Sequence, residues 1–167
     1  IHLYSFSKAF RLTGHRVGAL IASADRLAQA EKFLDTTTIC PPRLGQAAAL
    51  HGLRSLGGWV AAERAEILAR RDALRDAFSN GVGGWRLLSS GAYFAFVEHP
   101  FDAASDEVAR RLVEDASILA LPGTMFAPRR EAGGDGRAER TLRLAFANAD
   151  ATGLAVVCDR LRGFRVD

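Results

Sequence analysis

The sequence contains little cysteine, proline, methionine or lysine, and these scarcities narrow the kinds of protein it can be. Its 167 residues include two cysteines, five prolines and one methionine. Cys40 and Cys158 are too few and too far apart for a disulfide framework or a zinc site. Free thiols favour a reducing compartment, so we expect a cytoplasmic protein. No apolar run reaches the roughly 18 residues of a transmembrane helix, so we expect no membrane partner.

Charge is plentiful but mixed in sign. The chain is 49% hydrophobic and 25% charged, with a formal net charge of +3, which is typical of a globular domain. Arginines stand beside acids, as in Glu63-Arg64 and Arg71-Asp72, and this pattern indicates solvated faces. The four histidines show no metal-ligand spacing. We therefore predict neither a nucleic-acid partner nor a metal site.

Lysine is the rarer of the two strongly basic residues. Lys8 and Lys32 stand against twenty arginines. Arginine keeps its proton in proteins, whereas lysine can lose it and act as an amine nucleophile. The surroundings of Lys32 are those of an ordinary surface residue, so Lys8 is the lysine of interest.

Lys8 stands among residues that are suited to hold a phosphate. Ser5 and Ser7 precede it, and Arg16 follows it between two glycines. A guanidinium donates two hydrogen bonds to a phosphate, hydroxyls add others, and glycines let the backbone approach a ligand. An amine that can form an imine, beside a phosphate cradle, is the equipment for holding pyridoxal 5′-phosphate as a Schiff base.

The order of these motifs resembles that of the class I/II aminotransferases, which are fold-type I pyridoxal-phosphate enzymes. Ser5-Phe6-Ser7-Lys8, followed by Gly14-His15-Arg16-Val17-Gly18, is similar to their cofactor-lysine signature. Weaker pieces follow in the family's order: Pro41-Pro42 with Gln46, a long helix, Gly91-Ala92-Tyr93-Phe94, Pro122-Gly123 with Phe126, and Arg143 to Asn148. The resemblance implies an α/β fold, made of the C-terminal part of the large domain and an α+β small domain.

The resemblance also implies a role for each matching residue. Lys8 would form the Schiff base and move the proton at the substrate α-carbon. Ser5 and Arg16 would bind the cofactor phosphate, with Ser7 close to it. Arg143 would hold the substrate α-carboxylate and so select the bond that breaks. The implied substrates are an amino acid and a 2-oxo acid, and the implied full-length assembly is a homodimer.

Other parts of that family's cofactor site lie upstream of its lysine. They are an aspartate at the pyridine nitrogen, a tyrosine at the ring hydroxyl and an aromatic side chain stacked on the ring. Here only seven residues precede Lys8, and the chain opens on Ile1 without an initiator methionine. We therefore expect a piece of a longer protein that is inactive in isolation.

The same motifs leave other functions open. One is the aminotransferase-like effector domain of a transcriptional regulator that senses the cofactor, which a basic helix-turn-helix upstream would indicate. Decarboxylases, lyases and synthases also share the scaffold and differ in the bond that they align. An arginine for the α-carboxylate favours transamination among these reactions.

Periodicity and turn residues predict the elements of the chain. In the first part we expect strands at 2–5 and 17–22, the second buried on both faces, and helices at 23–34, 43–55 and 59–78, the last two separated by Gly57-Gly58. In the second part we expect strands at 85–88, 93–97, 118–121 and 141–147, helices at 102–115 and 151–162, and a loop at 129–140. Domain 1–79 would be the C-terminal part of the large domain with the long interdomain helix, and 80–167 the small domain.

Side-chain patterns further assign the buried faces of two of these elements. In the strand at 141–147, Leu142, Leu144 and Phe146 alternate with Arg143 and Ala145, which predicts one buried face. The helix at 102–115 should bury Ala103, Val108, Leu112 and Val113. Tyr93 and Phe94 are interpreted as core residues.

Overall fold

The chain forms two compact units, Ile1–Arg64 and Ala65–Asp167. The structure is a computed structural model that describes residues 1–166. The first unit contains β1 (His2–Ser5), α1 (Phe6–Ala9), β2 (Gly18–Ile21), α2 (Ala24–Thr37), α3 (Arg43–Ser55) and the beginning of α4 (Gly57–Ser79). The second contains the rest of α4, then β3 (Arg86–Gly91), β4 (Phe94–Glu98), α5 (Ser105–Ala116), β5 (Leu121–Pro122), β6 (Thr141–Ala145) and α6 (Ala151–Gly163). The predicted division into domains 1–79 and 80–167 concerns a longer protein and stays a prediction.

β1 and β2 form a two-stranded antiparallel sheet. Their register runs from His2 opposite Ile21 to Ser5 opposite Gly18. The strand predicted at 2–5 is thus confirmed, but the prediction that the second strand is buried on both faces is wrong, since Ile21 is 61% exposed. A continuous apolar run fits a strand between two neighbours, whereas in residues 1–166 β2 pairs with β1 alone.

The helices of the first unit largely follow their sequence signals. The bounds of α3 are confirmed at Arg43–Ser55. α2 continues to Thr37, past the predicted end, because the hydroxyls of Thr36 and Thr37 donate to the Phe33 carbonyl at 2.9 and 2.8 Å and are satisfied within the helix. The helix stops before the two prolines that precede α3, as expected from their restricted backbone.

The prediction that Gly57 and Gly58 interrupt the helices is wrong. Both glycines lie inside α4, and the break falls at Leu56. The Leu56 amide still donates to Gly52 at 3.0 Å as the last bond of α3, and its carbonyl accepts from Val60 at 3.0 Å as the first bond of α4. A glycine lowers helix stability by about 1 kcal/mol but does not forbid the helix.

The second unit is built on a four-stranded antiparallel sheet in the order β3-β4-β6-β5. β6 lies inside this sheet, and its residues Leu142 and Leu144 are buried together with Phe146 just beyond it. They belong to one core with side chains of α5 and α6, including Leu112 and Leu161. The predicted alternation in this strand is confirmed, and it places Arg143 on the face opposite the core.

Two predictions in the second unit are wrong. The strand expected at 118–121 is the two-residue β5, Leu121–Pro122, at the edge of the sheet, where the missing proline N–H costs no ladder bond. Val113 is 46% exposed, whereas Val108 and Leu112 are fully buried. A residue next to Leu112 points about 100° away from it around the helix, so Val113 cannot share the buried face.

Residues 129–140 contain more structure than the predicted loop. Two 3-10 turns, Arg130–Ala132 and Ala138–Arg140, lie within them. Ala138 is buried, and its carbonyl accepts a hydrogen bond from the Ser105 hydroxyl at 2.9 Å. This bond ties the end of the segment to the start of α5.

Three global properties bear on function. None of the helices in residues 1–166 is both long and apolar enough to cross a bilayer. Within the same residues, no three His, Cys, Asp or Glu side chains are grouped so that they could share a metal ion. Cys40 is exposed and Cys158 is buried, and both are free thiols. Burial raises the pKa of the Cys158 thiol, which makes it unreactive at neutral pH.

His99 is a titratable side chain inside the second unit, only 1% exposed. Its Nε2 lies 3.3 Å from the carbonyl oxygen of Glu139, and its ring stacks on Phe101. Its Nδ1 has no hydrogen-bond partner among residues 1–166. Burial lowers the pKa of His99, and the charge of Arg140 lowers it further, against the opposing effect of the Glu139 carbonyl. The folded chain therefore holds this imidazole neutral.

We expect mild acid to destabilise the fold through His99. The unfolded imidazole titrates near pH 6.5 and the native one lower, so stabilisation present above about pH 6.5 is lost as the pH falls below it. From pH 7.5 to 5.5 the free energy of unfolding, measured by urea titration, should fall, by at most about 1.4 kcal/mol for each pH unit that one group can contribute. His99→Phe should abolish this change, and His51→Gln, at an exposed position, should keep it. A His99 ring that titrates at the ordinary histidine value in the folded chain would contradict the prediction.

Candidate active site

The segment of residues 5–17, called here the lysine loop, begins where β1 passes into α1. Ser5 is the N-cap of α1, and its Oγ accepts a hydrogen bond from the Ser7 amide at 3.3 Å. An N-cap serine favours the start of a helix at this point. Neither serine hydroxyl donates a hydrogen bond to another of residues 1–166. Both hydroxyl hydrogens are therefore available to a ligand.

Lys8 lies in the last turn of α1 and is exposed. Its ammonium makes no hydrogen bond or ion pair with any side chain or carbonyl of residues 1–166. Lys32 differs, because its Nζ donates to Gln29 Oε1 at 2.9 Å. Of the two lysines, Lys8 is thus the one that presents an amine without a partner in the described part of the chain.

Arg16 reaches the same end of the β1–β2 sheet. The Phe6 amide donates to the Val17 carbonyl at 3.4 Å, and Ser5 is opposite Gly18, so Arg16 comes next to the start of α1. Its backbone is left-handed, with φ of 47°, and its Nη1 donates to the Thr13 carbonyl at 2.9 Å. The rest of the guanidinium keeps its N–H donors for a ligand.

The two glycines that flank Arg16 differ in their surroundings. A Cβ at Gly18 would lie 2.9 Å from the carbonyl oxygen of Tyr4, so this glycine is needed for the pairing of β1 with β2. A Cβ at Gly14 would meet no atom within 4 Å. The prediction that glycine gives a ligand access to the backbone therefore remains for Gly14 alone.

A row of small residues on α3 supports the lysine loop. Gly45, Ala49 and Gly52 are the buried residues of this helix, at spacings that place them on one face. A Cβ at Gly45 would lie 2.8 Å from the His15 carbonyl oxygen, and one at Gly52 would lie 2.9 Å from the ring of Phe10. The helix backbone thus packs directly on the loop. Sequence reasoning missed this row, although its glycine, alanine and glycine at i, i+4 and i+7 are the signal.

Arg143 lies in the second unit, on the open face of the sheet, and is half-buried. Its Cζ is 4.1 Å from the ring centroid of Phe94 and 4.3 Å from that of Phe126. Phe94 comes from the neighbouring strand, and Phe126 follows the 3-10 turn Gly123–Met125. The interpretation of Phe94 as a core residue is thus wrong, since its half-buried ring contacts Arg143, whereas the half-buried Tyr93 does pack against the core of the second unit.

The guanidinium of Arg143 is held by its faces and open at its edge. It forms no hydrogen bond or ion pair with residues 1–166. Two aromatic rings attract the cation through their negative faces, and they leave the N–H groups in the guanidinium plane unused. That edge matches a carboxylate, which would accept two parallel hydrogen bonds.

The predicted site residues therefore fall into two groups. Ser5, Ser7, Lys8 and Arg16 lie together in the first compact unit, and Arg143 lies in the second.

A cleft of about 390 Å³ near the C-terminal ends of α5 and α6 is a weaker candidate. It is lined by three arginines, but Arg160 donates to the Ala116 carbonyl at 3.2 Å and Arg111 donates to Asp115 at 2.7 Å. Arg165 likewise donates to carbonyls at the end of α6, at 2.8 and 2.7 Å. Arg160 and Arg165 satisfy carbonyls at helix ends and Arg111 pairs with an acid of its own helix, so we assign the cleft a structural role.

The whole chain was compared with models of known protein families, and the match includes the lysine loop. Residues 1–161 match the family model described as aminotransferase class I and II. The chain belongs to this family. Members of this family are in general pyridoxal-phosphate enzymes of fold type I. Membership, which the motifs around Lys8 and Arg16 predict, is confirmed.

Curated relatives are similar to this chain over most of its length. It is 29% identical over 129 residues to aromatic-amino-acid aminotransferase 2 of Thermococcus litoralis, covering 75% of this chain and 33% of that protein. It is 28% identical over 125 residues to an aspartate aminotransferase of Pyrococcus horikoshii, covering 73% of this chain and 32% of that protein. The chain thus spans about a third of the length of these relatives.

Solved structures confirm the fold. N-succinyldiaminopimelate aminotransferase from Mycobacterium tuberculosis superposes with a TM-score of 0.81 at 24% identity, over 96% of this chain and 41% of that one. YbdL from Escherichia coli, for which a methionine aminotransferase function is described, gives a TM-score of 0.80 at 24% identity over 97% of this chain and 41% of that one. The expected α/β, fold-type I architecture is confirmed.

We expect Gly45→Ala to disturb the lysine loop. The added methyl would collide with the backbone of residue 15, which must shift, so the free energy of unfolding should fall by about 1–3 kcal/mol. Gly58→Ala is the matched control, because a Cβ there meets nothing within 4 Å and should raise helix stability by about 1 kcal/mol. Urea unfolding measures both. Equal stability of Gly45→Ala and the unmodified chain would show that α3 does not hold the loop closely.

Proposed function

We propose that this chain acts in a pyridoxal-phosphate-dependent aminotransferase, which exchanges an amino group between an amino acid and a 2-oxo acid. The observation that carries the proposal is the exposed Lys8 amine without a protein partner, on a loop that also holds Ser5, Ser7 and Arg16. Membership of the aminotransferase family supports it.

The residues of the lysine loop fit pyridoxal phosphate chemically. Ser5 and Ser7 keep free hydroxyl hydrogens, and Arg16, whose backbone comes next to the start of α1, keeps unused N–H groups. Donors of this kind suit a phosphate dianion. The free amine of Lys8 suits an aldehyde, with which amines condense. We therefore assign Ser5, Ser7 and Arg16 to the cofactor phosphate and Lys8 to the cofactor aldehyde.

Lys8 would have two functions in the reaction. Its Nζ would hold the cofactor covalently between turnovers. Once the substrate amine has taken its place, the freed Nζ would accept the proton from the substrate α-carbon and return it elsewhere, as a general base and then acid. Pyridoxal phosphate supplies, when bound, the conjugated ring that accepts the electrons of the broken bond.

Arg143 would bind the α-carboxylate of the substrate. The rings of Phe94 and Phe126 fix the plane of its guanidinium, and a fixed plane determines how a bidentate carboxylate is oriented. The α-carbon bonds of the substrate are then oriented as well, and the α-hydrogen bond is the one that transamination breaks. Because every α-amino acid carries this carboxylate, Arg143 does not define the side-chain preference.

The whole protein would work as a cytoplasmic homodimer on small-molecule substrates. The family supports the amino acid and 2-oxo acid, and the exposed free thiol of Cys40 suits a reducing compartment. The curated relatives include aromatic and aspartate aminotransferases, which differ in the side chain of their substrate. We therefore propose an α-amino acid as the substrate and leave its side chain unspecified.

We expect Lys8 to be the lysine that takes the cofactor. The full-length protein is incubated with pyridoxal phosphate, reduced with borohydride, digested and analysed by mass spectrometry. The adduct should lie on Lys8 and disappear in Lys8→Ala together with transamination, whereas Lys32→Ala should keep both. Lys32 is a suitable control because its amine is already hydrogen-bonded to Gln29. Transamination that survives in Lys8→Ala would refute the proposed function.

Substitution of Arg143 should weaken substrate binding. Arg143→Lys keeps the charge but loses the planar, bidentate fork, so KM for the amino acid should rise by about 10- to 100-fold in steady-state assays. Arg86→Lys is the matched control, since Arg86 belongs to the same sheet and pairs with Glu98 at 3.1 Å. An unchanged KM in Arg143→Lys, or an equal rise in both variants, would exclude Arg143 as the carboxylate ligand.

A further inference from the structure

Arg11 has an unusual backbone for an arginine. It lies three residues after Lys8 and has φ of 55°, in the left-handed region that favours glycine. Its amide donates to the Lys8 carbonyl at 3.4 Å, so the residue ends α1 in the manner of a helix C-terminal turn. Glycine would make this turn without strain.

That side chain contacts the first turns of α4. Its Nη2 lies 2.5 Å from Glu63 Oε2, and its Cζ lies 5.5 Å from the ring centroid of Trp59. Trp59 and Glu63 are four residues apart, so they share one face of the helix. The guanidinium thus makes an ion pair and a cation–π contact at the same time. All three residues belong to the first compact unit.

The contact is exposed, which limits what it can do. The side chains of Arg11 and Glu63 are 71% and 39% exposed. Ion pairs in such surroundings add little to global stability. They can still determine where a short, weakly stable segment lies, and α1 has only four residues, too few to be a stable helix alone.

A second anchor comes from the preceding residue. Phe10 packs on Gly52 of α3, where a Cβ would lie 2.9 Å from its ring, and its amide donates to the Phe6 carbonyl at 3.2 Å. Phe10 and Arg11 together attach the end of α1 to two different helices. Lys8 is in the turn that these two residues close.

We propose that Arg11 is a positioning residue that holds α1 on α4 through Trp59 and Glu63 and so sets the direction of the Lys8 side chain. The reactive part of this inference rests on the proposed function, in which Lys8 takes the cofactor aldehyde. The attachment itself does not depend on a cofactor. Because the ion pair is exposed, its effect should weaken as salt is added.

The first experiment measures hydrogen exchange of the Phe10 and Arg11 amides in the cofactor-free protein. In Arg11→Gly and in Glu63→Gln these amides should exchange about threefold to tenfold faster than in the unmodified protein. Glu66→Gln is the matched control, because it removes another ion pair of α4, with Arg70, and should change nothing in the loop. Arg11→Lys, which keeps the charge, should restore most of the protection. Exchange in Glu63→Gln equal to that of the unmodified protein overturns the proposal.

The second experiment measures how fast pyridoxal phosphate attaches to Lys8, with Lys32 in the same molecule as the internal reference. The ratio of the Lys8 rate to the Lys32 rate should fall about threefold or more in Arg11→Gly and Glu63→Gln and stay constant in Glu66→Gln. Salt screens the contact of Arg16 with the cofactor phosphate in both proteins, so it should lower the ratio in both, and more steeply in the unmodified protein than in Arg11→Gly. Faster exchange with an unchanged ratio overturns the positioning role. No attachment to Lys8 in the unmodified protein defeats the proposed function instead, and the exchange data then still decide whether Arg11 holds α1.

Discussion

The direct contact of the α3 backbone with the lysine loop is the constraint on which the first compact unit depends. The buried apolar residues there are few: Phe6, Val17 and Ala49. Because this core buries little apolar volume, close packing between backbone and side chains has to supply the order of the unit. The two glycines of α3 allow that packing, since they leave room for the His15 carbonyl and the Phe10 ring. The loop is therefore shaped by a rigid helix, which suits a segment that has to present one amine in one direction.

In the second unit, a cationic side chain, that of Arg143, lies on the otherwise apolar strand β6. Residues on one face of β6 join a core shared with α5 and α6, so the strand is firmly placed. The other face carries Arg143 between two aromatic rings, whose attraction offsets part of the loss of hydration without using a single hydrogen bond. A carboxylate partner from the chain itself would have occupied the binding edge. The proposed carboxylate site thus depends on rings and not on acids.

Local patterns predicted much of this fold, and contacts between distant segments account for the rest. The helix at Arg43–Ser55 and the alternation around Arg143 follow from periodicity alone. The paired glycines at the start of α4 led to a wrong helix boundary. A helix tolerates the modest loss of helix propensity at a glycine when the residues that follow are good helix formers. The partnership of Arg143 with Phe126 joins residues 17 positions apart in sequence and cannot be read from spacing. The same holds for Arg11 and Glu63, 52 positions apart.

The two tryptophans give each compact unit its own optical reporter. Trp85 is buried in the second unit, where its Nε1 donates to the Leu161 carbonyl at 3.1 Å. Trp59 is half-buried in the first unit beneath the guanidinium of Arg11. One indole thus lies in an apolar core and the other next to a cation, so the two compact units place their tryptophans in different electrostatic surroundings. A change in the surroundings of Trp59 would report on the contact of α4 with the lysine loop, and a change in those of Trp85 on the core of the second unit.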